Sequence, residues 1–148
     1  MEINPFVGVH VGSIAKMRML EGVKYDRGIA TYAIAMGELL NARNEPAFVF
    51  TPEQSDECFD SEAERLANLY VGYGLTYARS IASYKALVPL LEGRIEMLGG
   101  YPEKLACCLY LMGEVSRARV FVETFLAKEP DYFEEFAVPF LTMIEKRG

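Results

Sequence analysis

The sequence predicts an all-α protein built from antiparallel helical hairpins. Apolar residues recur at intervals of three and four over most of the 148 residues, and prolines and glycines separate the segments that carry this period. Strand-like patterns are confined to residues 6–11 and 47–50. A chain of this length is expected to form a single domain, 1–148, with a hydrophobic core of its own.

The amino-terminal third is predicted to hold one strand and two helices. Valines occupy every second position within residues 6–11, which is the period of a strand. A short helix is expected over residues 13–24. Asp26 is placed to cap a longer helix over residues 27–43, whose apolar stripe would consist of Ile29, Ala33, Met36 and Leu40.

The middle of the chain is predicted to begin with a strand and to continue as a long helix. Pro46 and Pro52 flank residues 47–50, which could pair with residues 6–11. An acidic loop follows. Ser61 and Glu64 have the spacing of a capping box, which predicts that the longest helix covers residues 61–87. Pro89 lacks an amide proton and is expected to kink or restart the helix.

The carboxy-terminal part is predicted to contain three helices. Pro102 is typical of a first helical turn, and its helix would end at Gly113. A second helix is expected over residues 114–128. Asp131 and Glu134 offer a capping box for a last helix that runs to about residue 146 and bends at Pro139.

The segment from Pro102 to Pro130 resembles one tetratricopeptide repeat. It carries small or apolar residues at the packing positions, a glycine at the turn, a small residue at the helix crossing and a terminal proline: Leu105, Ala106, Leu109, Gly113, Ala118 and Pro130. Val122 and Phe125 depart from the pattern, and a second copy is not evident. The resemblance implies a helical hairpin whose neighbouring helices bury its two faces.

A second resemblance concerns function. The acidic, helical character of the chain and its segment 111–136, "LMGEVSRARVFVETFLAKEPDYFEEF", are similar to those of some bacterial immunity proteins. Such proteins bind a toxin stoichiometrically and catalyse no reaction. The resemblance implies a protein partner and a bacterial, cytoplasmic setting.

The charge of the chain indicates which partners to expect, and its cysteine content indicates the cellular compartment. A formal charge of −6 and a pI near 4.9 disfavour nucleic acid and anionic membrane surfaces, and they favour a protein with a basic surface. Three cysteines cannot form an even set of disulfides and suggest free thiols in a reducing compartment. The absence of a signal-peptide pattern and of a long apolar run predicts a cytoplasmic protein outside the membrane.

Few residues suggest catalysis. His10 is the only histidine, so we expect no metal site built on imidazoles. Cys58, Cys107 and Cys108 lack the spacing of a metal motif, and Gly72 to Gly74 lack the remaining residues of a phosphate loop. The sequence therefore predicts a protein that is not an enzyme and needs no cofactor.

Two groups of residues are candidates for partner binding. The first is a stripe of tyrosines on one helical face with an arginine nearby, and it could form a groove wall or belong to the core: Tyr70, Tyr73, Tyr77, Tyr84 and Arg79. The second group is acidic, and it could be a docking face or an ordinary solvated surface: Asp56, Glu57, Asp60, Glu134 and Glu135.

Together these features suggest a non-catalytic protein-binding module. One specific form is an immunity protein or inhibitor that neutralises a toxin by binding it. A secretion chaperone or adaptor is an alternative, as is a sensor that binds a small ligand in a tyrosine-lined pocket. Homodimerisation through an exposed helix face is a further possibility.

Overall fold

The computed structural model describes residues 2–18, 30–41, 45–97 and 101–147. Most of these residues are helical, and they include two short two-stranded sheets. The contacts divide the chain into two compact units. Unit 1 comprises Met1–Val9 and Ala33–Ala82, and unit 2 comprises His10–Tyr32 and Ser83–Gly148. The single domain expected from the length stays a prediction, and the two units are described separately.

Two pairs of strands form, but they are not the pair that the sequence predicted. Strand β1 (Glu2–Ile3) runs antiparallel to β4 (Phe48–Val49), and β2 (Phe6–Val9) pairs with β3 (Tyr32–Ala35). Residues 6–11 and 47–50 thus both contribute strands, but the predicted pairing between them is wrong. Pro5 separates β1 from β2, so each strand can take a different partner.

The helix predicted over residues 27–43 is confirmed only at Met36–Leu39 and is wrong for the described residues before it. Tyr32–Ala35 is extended, and only the short helix α2 (Met36–Leu39) follows. Aromatic and β-branched side chains at Tyr32 and Ile34 favour the extended backbone. Of the predicted stripe, Met36 and Leu40 are buried with Val7 in the core of unit 1. Asp26 and Ile29 lie outside the described residues.

The longest helical segment of unit 1 starts earlier and ends earlier than predicted. Helix α3 (Asp56–Leu69) continues through a π-helical turn (Tyr70–Gly74) into α4 (Leu75–Ser80). Ser55 caps α3, because its hydroxyl accepts a 3.3 Å hydrogen bond from the amide of Cys58. Ser61 lies inside the helix, so the predicted capping box is wrong. Asp56 and Glu57 occupy the first turn, where the helix dipole favours carboxylates.

Unit 2 contains the remaining helices. They are α1 (Gly12–Arg18), α5 (Tyr84–Glu92), α6 (Pro102–Leu111), α7 (Val115–Lys128) and α8 (Pro130–Arg147). Successive helices from α5 to α8 pack against each other, and α1 packs on α6. Pro89 lies within α5, so the predicted restart occurs instead at Tyr84, after the Ser83 cap. Residues 19–24 of the first predicted helix lie outside the described residues.

The predicted helical hairpin near the carboxyl end is confirmed as a local structure. Pro102 is in the first turn of α6, and Gly113 has a positive φ of 90° in the turn before α7. Ala118 and Val122 are fully buried. Helix α8 begins at Pro130, so Asp131 lies in its first turn and the predicted capping box there is wrong. The likeness to a tetratricopeptide repeat stays a prediction.

None of the described helices combines the length and apolar character needed to cross a membrane.

Candidate functional site

Unit 1 carries an apolar groove of about 590 Å³, which we call the unit 1 groove. One wall comes from α3 and the π-helical turn, and the other comes from the β1–β2 segment and the residue after β4. Its lining consists of Ile3, Pro5, Phe6, Phe50, Phe59, Ala63, Leu66, Ala67 and Tyr70. Every one of these side chains is apolar or aromatic, which is typical of a surface that binds another molecule.

The spacing of residues on α3 explains its wall. Phe59, Ala63, Leu66 and Tyr70 recur at intervals of four, three and four, which places them on one helical face. Helix α3 has no buried residue, so no described segment covers this face completely. Phe6 is 64% exposed, Phe59 49% and Tyr70 39%. Three large side chains at one groove therefore remain in contact with solvent.

Arg65 secures the chain segment that leads into the opposite wall. Its guanidinium donates hydrogen bonds of 3.1 Å to the carbonyl oxygens of Pro46 and Ala47, and it lies 4.1 Å from the centre of the Phe48 ring. Its planar fork can make these contacts at the same time. Beyond this segment, the rings of Phe50 and Phe59 meet edge to face at 5.1 Å. The groove is therefore preformed by contacts between its walls.

Glu62 is neutralised by the same arginine. Arg65 Nε and Nη2 donate to the two carboxylate oxygens of Glu62 at 3.0 and 2.9 Å. The hydrogen bond from Arg65 lowers the pKa of Glu62, and the same hydrogen bond raises the pKa of Arg65. The amide of Val49 also donates to Glu62, at 3.4 Å. This carboxylate is therefore committed to holding the structure and adds little free negative charge.

Asp56 and Asp60 supply the negative charge beside the groove. Asp56 stands three residues before Phe59 and Asp60 three residues before Ala63, so helical spacing places both next to the lining. Both are exposed, and neither forms an ion pair with another described residue. An acidic margin along an apolar groove suits a ligand that combines an apolar group with positive charge.

Gly74 fixes where the Tyr70 ring can lie. The amide of Leu75 donates to the carbonyl of Tyr70, five residues back, which is the bond that defines the π-helical turn. A Cβ at Gly74 would stand 3.1 Å from Tyr70 Cδ2 and 3.4 Å from Met36 Sδ. Glycine thus allows the tyrosine ring to pack over its own helix at the end of the groove.

No protein-family model, curated protein or solved structure matches the chain.

The predicted tyrosine stripe does not form one face. Helix α4 ends at Ser80, so Tyr84 belongs to α5 in unit 2, where its hydroxyl lies 2.7 Å from Ser13 Oγ. Tyr77 packs against the core of unit 1. Tyr73 and Arg79 are exposed, and Tyr70 alone of the four tyrosines lines the unit 1 groove.

The acidic candidates are also divided. Asp56 and Asp60 lie beside the unit 1 groove, whereas helical spacing turns Glu57 to the other side of α3. Glu134 and Glu135 are exposed on α8 in unit 2. The structure therefore places Tyr70, Asp56 and Asp60 of the predicted set along one groove, with the aspartates towards the start of α3 and Tyr70 after its end.

The sequence reasoning missed the phenylalanines of the groove. Phe59 lies among acidic residues in "DECFDSE", and Phe6 and Phe50 come from segments far apart in the chain. A signal for Phe59 was present, because it stands eleven residues before Tyr70 and so shares its helical face. Nothing in the local sequence indicates that Phe6 and Phe50 meet this face.

Lys104 in unit 2 has a strongly lowered pKa, which is a common feature of catalytic lysines. Burial, and next the charge of Arg18, lower its pKa to about 8. Its ammonium donates a 2.8 Å hydrogen bond to the carbonyl of Ala30 and lies 4.1 Å from the centre of the Tyr101 ring. These contacts account for the buried lysine as a structural element.

Metal-binding side chains do not cluster within the described ranges. No three His, Cys, Asp or Glu residues there are arranged to hold an ion. His10 and Cys58 are exposed, whereas Cys107 and Cys108 are buried and form no disulfide.

Proposed function

We propose that this protein is a non-catalytic binding module that holds a partner protein in the unit 1 groove. The observation that carries the proposal is the groove itself, in which Phe6, Phe59 and Tyr70 are exposed on apolar walls. Aromatic residues at a preformed concave surface are typical of the positions that dominate binding energy in protein interfaces.

The charge beside the groove supports a basic partner. Asp56 and Asp60 border the lining, and the chain as a whole carries a formal charge of −6. The occupant would insert a bulky apolar side chain between the walls and place lysine or arginine near the two carboxylates. Such complementarity speeds association and makes it sensitive to salt.

Two biological roles fit this binding mode. In the first, the protein is an immunity protein or inhibitor that blocks a toxin by occupying its surface, as the resemblance of segment 111–136 suggests. In the second, it is a secretion chaperone or adaptor that carries its partner. Loss of the partner's activity on binding would indicate the first role, and retention of that activity would indicate the second.

A sensor for a small ligand at a tyrosine pocket has less support. Tyr77 packs in the core of unit 1, Tyr84 contacts Ser13 in unit 2, and Tyr70 alone of the tyrosine stripe lines the unit 1 groove. An apolar groove with an acidic margin favours a protein segment with basic residues.

Co-purification with matched variants tests the proposed function. The tagged protein is recovered from its native host in low salt, and the bound proteins are identified by mass spectrometry. Phe59→Asp places a charge in the groove, whereas Val120→Asp places the same charge at a 62% exposed position of α7. We expect one basic protein to be retained by the parent and by Val120→Asp, and to be lost with Phe59→Asp and in high salt.

The Val120→Asp control distinguishes a loss of binding at the groove from a general effect of the added charge. Both variants alter exposed side chains, so both should remain folded, and circular dichroism checks this. Equal retention by Phe59→Asp and Val120→Asp would show that the unit 1 groove does not bind the partner. Recovery of no salt-sensitive protein by the parent would overturn the proposal as a whole.

A further inference from the structure

Unit 2 carries a second groove, which we call the α8 groove. It has a volume of about 460 Å³ and is formed between α8 and α1. Its lining includes four apolar side chains and two cations: Met17, Val138, Phe140, Met143, Lys146 and Arg147. None of these residues belongs to the unit 1 groove, so the following inference does not depend on the proposed function.

The lining changes in character along the groove. Val138, Thr142 and Lys146 follow each other at intervals of four on α8, and Pro139, Met143 and Arg147 form the adjacent row. From residue 138 to residue 147 the helix rises by about 13 Å, so the apolar part and the cationic end are separated along the axis. The groove is therefore polarised, with an apolar body and a positive end.

We propose that the α8 groove binds a single-chain amphipathic carboxylate, such as a medium-chain fatty acid. The alkyl chain lies against Val138, Met143 and Met17, and the carboxylate lies at Lys146 and Arg147. The length from residue 138 to residue 147 is comparable to that of an extended decanoate chain. Flexible methionines adapt well to a thin alkyl chain.

The two cations are available to such an anion. Among the described residues neither Lys146 nor Arg147 forms an ion pair with a carboxylate. Arg147 Nη1 donates a 2.9 Å hydrogen bond to the hydroxyl of Tyr110. This contact positions the guanidinium without supplying a carboxylate. Lys128, by contrast, is already paired with Glu96 at 2.9 Å.

Helix stability alone does not explain this arrangement. Cations in the last turn of α8 do interact favourably with the helix dipole. That interaction gives no reason for Val138 to be 50% exposed more than two turns before them, on the same row as Lys146. A mostly apolar lining that ends in two cations without an ion pair among the described residues matches a ligand with the same two parts.

Displacement of a dansyl-labelled undecanoate tests the inference on the full chain. Unlabelled decanoate should displace the probe, and octanoate should do so with about tenfold lower affinity, because two fewer methylenes are buried. Decyltrimethylammonium has the same tail and the opposite charge, and it should displace the probe weakly or not at all. All three are used below their micellar concentrations.

Two pairs of variants locate the site. Lys146→Glu should weaken decanoate binding by about tenfold, whereas Lys128→Glu, a matched charge reversal on α7, should leave it unchanged. Val138→Asp should abolish binding, whereas Val120→Asp should not. Equal affinity for decanoate and decyltrimethylammonium would overturn the proposal, as would equal effects within either pair or failure of the parent protein to bind the probe.

Discussion

The Tyr70 ring occupies the space that a side chain at position 74 would need. A Cβ on Gly74 would lie 3.1 Å from Tyr70 Cδ2, which is closer than ordinary van der Waals contact. Gly74 is buried, whereas the ring is 39% exposed and lines the unit 1 groove. The shape of this end of the groove therefore depends on the absence of one methyl group.

Alanine at positions 72 and 74 should act differently, although both glycines lie in the same π-helical turn. No atom lies within 4 Å of a Cβ built at Gly72. Gly72→Ala should therefore raise the free energy of unfolding by up to about 1 kcal/mol through helix propensity. Gly74→Ala should raise the free energy of unfolding by less, because the Tyr70 ring must move to make room for the new methyl group. Urea denaturation of the two variants measures the difference, and equal stabilisation would show that the ring is not constrained by Gly74.

Lys104 should make the stability of unit 2 depend on alkaline pH. Its pKa in the folded protein is about 8, below the usual value of 10.5, because of burial and the nearby charges of Arg18 and Arg94, against the opposing effect of Glu103. Between these values the unfolded chain binds more protons than the folded chain. The contribution of Lys104 to the free energy of unfolding should therefore rise, by roughly 2 kcal/mol, as the pH increases from 7 to 9.5, whereas the raised pKa of the buried Cys108 thiol acts in the opposite direction over the same range.

Replacing the lysine tests the source of this pH dependence. Lys104→Met retains much of the side-chain volume and removes the titrating group, so its free energy of unfolding should rise less with pH than that of the parent protein. Lys85→Met serves as a control, because Lys85 is exposed on α5 in the same unit. Denaturant unfolding followed at several pH values measures the slope. The same dependence on pH in Lys104→Met as in the parent protein would contradict the assignment.

The three cysteines should differ sharply in reactivity. Burial raises the pKa of the Cys108 thiol to about 11, so it stays protonated at pH 8. Cys107 is also buried, whereas Cys58 is exposed in the first turn of α3. Ellman's reagent should therefore titrate one thiol in the folded protein and three in denaturant. Cys58→Ser should remove the rapid reaction, and rapid reaction of a second thiol would show that α6 does not shield its cysteines.

Sequence reasoning succeeded where local signals agree with packing. In the segment from α6 to α7, Pro102 starts a helix, Gly113 takes the positive φ of the turn, and Ala118 is buried. Each of these residues has a strong conformational or steric preference that no distant contact opposes. The helical hairpin could therefore be predicted from the residues that form it.

Prediction from the sequence failed where two local signals compete. Ser55 and Ser61 each precede an acidic helical segment, and only the structure shows that Ser55 provides the cap. Met36 and Leu40 have helical spacing with Ala33, yet Tyr32–Ala35 forms a strand because β2 is available as a partner. Propensity yields to tertiary contacts in such cases.

The groove could be predicted only in part for a similar reason. Tyr70, Asp56 and Asp60 share one helical segment, so their placement along the same groove follows from spacing. Phe6 reaches the same groove from a segment more than fifty residues earlier, through the pairing of β1 with β4. The pairing of strands that lie far apart in the sequence cannot be recognised from the residues around each strand.

The order of segments along the chain has a practical consequence for dissecting this protein. The backbone passes between the two units after Val9, after Tyr32 and after Ala82. A fragment that stops at Ala82 would retain every residue of unit 1 but would also carry α1 without α6, on which it packs. No single cleavage point separates the units, so the contributions of the two grooves must be resolved by point substitutions in the intact polypeptide.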